Sequence, residues 1–145
     1  MNIFQDTYEN RLRSWRELRI KTQELPLDKA CVEIDRWWQQ APLVHHHLHW
    51  NDTQNWTGPW DLLSENTYCL LTRALGMCYN LLMIGIDDIE LVTATDSQAE
   101  EHYLVLVDGA KYTMNYWPDL VLNTPLNEFT IIRSIPIESI QNKLK

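Results

Sequence analysis

The sequence predicts an α+β domain, with helices first and a small antiparallel sheet after them. Three observations carry this. Up to residue 85 the apolar positions recur at helical spacing, whereas beyond Gly85 they alternate with the period of a strand. Between these regimes, residues 67–85 form a run interrupted only by Thr72, Arg73 and Asn80. A helix apolar nearly all round is a buried one. Helical runs followed by strand runs, without interleaving, are the order of an α+β fold.

The elements follow in order. Residues 6–24 set Tyr8, Leu12, Trp15, Leu18 and Ile20 among many charges, which reads as a helix with a narrow apolar stripe. That stripe packs on this domain or on a partner, and Pro26 ends the helix. Residues 27–40 form a second helix with Ala30, Val32 or Ile34, Trp37 and Trp38 on its apolar side. Residues 44–50 hold four of the five histidines. If extended, they point His45, His47 and His49 one way and His46 the other. Three alternating histidines can bind zinc; the competing reading is the polar face of an edge strand or loop. Asn, Asp, Gly and Pro make 51–60 a loop. Asn66 or Thr67 then caps the central helix. Strands are expected at 89–94, 102–107, 111–116 and 130–135, with 119–129 a loop and 136–145 a short polar helix or tail.

Composition narrows the function classes. The length suits one domain over 1–145, with 1–26 a peripheral helix and 125–145 a C-terminal extension. A net charge of -8 argues against nucleic-acid binding, which needs a basic stripe. The polar N-terminus lacks the apolar core of a signal peptide, so a cytoplasmic location is expected. The central helix is too short, and too interrupted by Arg73, to span a membrane. Cysteines at 31, 69 and 78, odd in number and without a C-x-x-C pair, fit a reducing compartment rather than a disulfide framework. No cofactor is expected. Seven Trp and six Tyr imply a heavily packed core, a surface that holds a protein partner, or both.

Cys69 is the first candidate site residue. At the start of a helix a thiol meets the positive end of the dipole, which favours thiolate; the alternative is a small buried apolar residue. His102, the one histidine outside the cluster, heads a strand and shares a face with Leu104 and Leu106. Asp108-Gly109 reads as a two-residue hairpin turn. Such a turn pairs 107 with 110 and therefore 102 with 115, setting His102 beside Asn115. Nucleophile, base and orienting amide would then stand together, and Cys-His-Asn is a working thiol triad. Backbone N–H groups at the helix start would hold the oxyanion.

These residues resemble the transglutaminase-like cysteine peptidases, the bacterial branch of the papain-like superfamily. Trp56 precedes Pro59-Trp60-Asp61-Leu62-Leu63, Cys69 stands at the nucleophile position, and Ile84-Gly85 closes its helix. The run His102 to Leu106 matches the histidine strand. Tyr112 to Asn115 matches the last strand, with Asn115 in place of the family's acid. The match covers about residues 30–120. It implies a thiol-dependent peptidase, amidase or acyltransferase acting on a peptide or protein substrate through Cys69, His102 and Asn115. The chain departs from the family where Thr67-Tyr68 and Leu70-Leu71 replace its acidic flanks, so substrate contacts and helix capping differ. Its size, and a start without a signal, look like a bacteriophage-encoded member. The alternative is therefore a catalytically degenerate fold serving as a virion or assembly module, with tryptophans as interface anchors.

Overall fold

The computed structural model describes residues 2–44, 50, 52–117, 120–122, 129–135 and 137–144. Helix α1, Tyr8–Gln23, begins where the Thr7 hydroxyl accepts from Asn10 N–H. Trp15 and Leu18 of its stripe pack on this domain, while Tyr8 and Ile20 are exposed. Trp15 is fully buried and donates its indole N–H to Asn80 at 2.8 Å, and the Arg11 guanidinium donates to the Leu63 carbonyl. Trp15 and Leu18 of this helix therefore lie in the core. Helix α2, Leu27–Gln39, follows Pro26 and buries Ala30, Cys31, Ile34, Trp37 and Trp38 along one side. Helix α3, Pro59–Glu65, opens with proline at its first position. It closes on Asn66, whose left-handed backbone (φ 56°) suits a side chain able to bond locally.

Helix α4, Leu70–Met83, is the centre, and every residue from Leu71 to Leu81 is buried. Its close approach to α2 depends on Gly76. A Cβ there would lie 2.5 Å from the Trp38 ring. Among the described residues no helix is long and apolar enough to cross a membrane.

Among the described residues the sheet has five strands: β1 (Ile89–Thr95), β2 (Glu101–Val107), β3 (Tyr112–Trp117), β4 (Leu120–Leu122) and β5 (Thr130–Ile135). Their order is β4-β3-β2-β1-β5, and every pairing is antiparallel. β4 falls where the sequence reads as loop, because three residues are too few to display a period. β5 returns to pair with β1. Helix α5, Ile137–Gln141, then buries Ile140 among core residues. Both faces of the sheet are covered. Leu91, Val105, Val107 and Met114 meet the helices, while Val92, Ala94, Leu104 and Leu106 form a second cluster with Ala110, Tyr116 and Phe129.

Most of the tryptophans go inward. Trp15, Trp37, Trp38 and Trp56 are buried, and among the described side chains Trp50 is half-buried and Trp60 is 47% exposed.

Candidate functional site

Cys69 is itself the N-cap of α4. The sequence pointed to Asn66 or Thr67, but Asn66 is occupied in closing α3. The Cys69 backbone is extended (φ −123°, ψ −179°), and its carbonyl accepts the first helical bond from Arg73 N–H at 3.0 Å. The Thr72 hydroxyl reaches back to accept from Cys69 N–H, as the third residue of a capping box does. The same hydroxyl lies 3.5 Å from the Cys69 sulfur. The chain enters this turn under restraint: the Tyr68 carbonyl accepts from Val44 N–H at 2.7 Å, and the Tyr68 phenol donates to Leu62 O. Cys69 is only 6% exposed.

Asn115 comes into this neighbourhood by an unexpected route. The hairpin turn is not the two-residue one. Asp108, Gly109 and Ala110 all take left-handed backbone, and the last pair before the turn is Val107 with Tyr112. The register is therefore displaced by two residues, and His102 and Asn115 do not face one another. Pairing with β2 ends at Met114, because Asn115 itself is left-handed (φ 65°). This kink, like a bulge, re-aims the side chain. The Asn115 amide oxygen accepts from Arg73 Nε at 2.9 Å, and its amide nitrogen donates to Leu70 O at 3.2 Å and Tyr103 O at 2.7 Å. Its backbone N–H donates to Asp35 at 2.8 Å. Both amide hydrogens, and one lone pair of the amide oxygen, are thus engaged in holding α4 and the sheet together.

His102 lies across the sheet. Tyr103, Val105 and Val107 share the Cys69 side of β2, whereas His102 alternates onto the other face. There its ring packs against Tyr116 (5.2 Å between centroids) and Phe129 (5.4 Å), and Nε2 lies 2.9 Å from Asp96 Oδ2. The structure thus brings Cys69 and Asn115 into one neighbourhood and leaves His102 out of it. Both parities of β2 are apolar, at Leu104 and Leu106 as at Val105 and Val107, so alternation could not say which side meets α4.

The side chain on the Cys69 face is Tyr103. Burial pushes its phenol up to about 12, helped by a hydrogen bond to Glu101 and by the charges of Glu101 and Cys69. The Trp50 ring lies 6.0 Å from it. Arg73, 7% exposed, completes the surroundings; burial holds its guanidinium below the ordinary value, against the opposing pull of Asp35. Tyr103, Arg73, Asp35 and Thr72 were not singled out from sequence. A lone arginine in an apolar helix was the available signal, since a buried charge requires partners. A phenol kept protonated and a permanent cation cannot take a proton from the thiol at neutral pH, and among the described residues no imidazole adjoins Cys69.

For metals, donor atoms of Asp96, Glu100 and His102 fall within 4.8 Å of one another, although His102 is already hydrogen-bonded to Asp96. The candidate ligands His45, His47 and His49 lie outside the described residues.

A cysteine-led buried helix laid on an antiparallel sheet, with its supporting helices, defines the class: a transglutaminase-like fold. The chain is similar to LapG of Legionella pneumophila in three solved structures, each at 11% identity. LapG itself and its EGTA-treated form superpose with a TM-score of 0.70 over 89% of this chain, covering 76% and 74% of theirs. The calcium-bound form gives 0.68 over 85% of this chain and 72% of its own. At that identity the likeness is one of fold. No family model and no curated protein sequence matches the chain.

Proposed function

We propose that this chain is a transglutaminase-like domain that works as a protein-binding module rather than through a Cys69–His102–Asn115 triad. One observation carries the reading: His102, the imidazole that the sequence resemblance assigns to Cys69, is hydrogen-bonded to Asp96 on the other side of the sheet. Two others support it. The amide that would orient the imidazole holds Arg73 instead, and Tyr103 stands beside Cys69. The family that the sequence resembles works on peptide or protein substrates, so a silent member retains a shape suited to polypeptide. A bacteriophage virion or assembly component is the setting that such a module fits.

A second reading, a thiol-dependent peptidase, amidase or acyltransferase, is favoured by one feature: Cys69 keeps the N-cap of α4, where the helix dipole attracts negative charge. Alkylation rates of the three cysteines against pH, read by peptide mass spectrometry, separate the two. The module reading expects the Cys69 rate in His102→Ala to stay within about twofold of the unsubstituted protein. A fall of about a hundredfold or more, the scale on which a positioned imidazole acts, would restore a thiolate–imidazole pair and the enzyme.

A further inference from the structure

The chain is acidic, yet five of its twelve basic residues lie on α1: Arg11, Arg13, Arg16, Arg19 and Lys21. Arg11 is buried, with its donors on the backbone carbonyls of Asp6 and Leu63. Lys21 pairs with Glu33. The other three recur every third residue, which places them along one stripe of the helix. With Leu12 and Trp60 they line an open groove of about 330 Å³ between α1 and α3, and no carboxylate is among its lining residues. Among the described residues none of the three arginines is in an ion pair. Arg13 donates to the neutral Asn10 amide. The Arg19 guanidinium carbon sits 4.5 Å from the Trp15 ring centroid and 5.5 Å from that of Trp60, and its Nε is buried without a hydrogen-bond partner.

Such a stripe carries a cost that the fold alone does not explain. Like charges three residues apart on a helix repel. An exposed indole beside them adds apolar surface that water solvates poorly. Arginine forks and a tryptophan around one groove are the residue types that dominate binding energy at interfaces. The occupant that relieves both features has carboxylates for the guanidiniums and an apolar side chain for the indole.

We propose that the groove formed by Arg13, Arg16, Arg19, Leu12 and Trp60 docks an acidic segment of a protein partner, with its carboxylates on the arginine stripe and an apolar side chain against Trp60. The dimensions fit. From Arg13 to Arg19 the helix rises about 9 Å, and an extended segment places residues two or three positions apart over about 7–10 Å. A nucleic acid fits worse, because a patch this short neutralises few phosphates and the rest of a chain with net charge -8 repels them. The proposal deepens the module reading by naming its surface, and it is tested apart from Cys69.

The experiment uses the whole chain and a fluorescein-labelled peptide of alternating Glu and Leu, with binding followed by anisotropy at low salt. A single-stranded oligonucleotide of equal charge serves as comparator. Saturable peptide binding is expected, weakened about tenfold or more by Arg16→Glu and by Trp60→Ala, and weakened by added salt. Arg16 is exposed, so its variant should keep the fold, which circular dichroism checks. No saturable binding, equal binding by Arg16→Glu, or tighter binding of the oligonucleotide would each overturn the proposal. Loss of peptide binding alongside a Cys69 indifferent to His102→Ala removes this surface and leaves the module reading. A Cys69 that depends on His102 removes the module reading whatever the peptide does.

Discussion

Asn115 shows how one residue can hold the position of a catalytic group while serving the architecture. Its side chain and backbone tie α2, α4, β2 and β3 together through Asp35, Arg73, Leu70 and Tyr103. Asn115→Ala would strand the buried Arg73 Nε and take one hydrogen bond each from the Leu70 and Tyr103 carbonyls. An unsatisfied buried group costs about 1–3 kcal/mol, so a loss of roughly 2–4 kcal/mol in urea denaturation is expected. Asn115→Gly loses the same amide but accepts the left-handed backbone freely, and should be less damaging than Ala by about 1 kcal/mol. Equal stabilities would mean that the kink relaxes once the amide is gone, and a loss below about 1 kcal/mol would mean that water reaches the site. Residue order alone does not separate this role from an orienting one. An asparagine in a strand is consistent with either, and only its positive φ, which asparagine tolerates better than most residues, marks the kink.

At the scale of elements, α4 shows what was legible and what was not. Its existence and burial follow from composition, because almost no polar face remains. Its start does not, because Asn66 is the better cap by residue type and is used to end α3. The order of helices and strands was readable for the same reason as α4. The facing of β2 was not, because a sheet covered on both sides erases the alternation. Gly76 gives a test of how tightly α4 and α2 fit. In an exposed helix, replacing Gly by Ala gains about 1 kcal/mol in helix propensity. Here the added methyl would meet the fully buried Trp38 ring, and overpacking costs about 1–3 kcal/mol. Gly76→Ala is therefore expected to be destabilising overall, and pairing it with Trp38→Phe should recover part of the loss. A Gly76→Ala protein more stable than the parent would show that the ring gives way.

For the whole molecule, the core packed between the helices and the sheet has a consequence for pH. Burial pushes the Cys31 thiol up to about 12, with Asp35 adding to it, and raises Cys78, Tyr68 and Tyr79 in the same direction. In the unfolded chain the thiols return to about 8.5 and the phenols to about 10. Below pH 8.5 both states keep these protons, so the groups' contribution to stability is constant. Above it only the unfolded chain releases them, and stability falls as pH rises toward the folded values. Each thiol then contributes a slope of up to about 1.4 kcal/mol per pH unit. Urea denaturation at a series of pH values should show a plateau up to about pH 8.5, a decline beyond it, and a steeper decline above about 10 as the phenols join. Cys31→Ala lowers stability at every pH by opening a small cavity, yet its decline between about 8.5 and 10 should be shallower by nearly one proton's worth. A parent protein whose stability stays level across that window would mean that water reaches Cys31 and Cys78, and that the core is not the continuous packing from Phe4 to Ile140 on which the site depends.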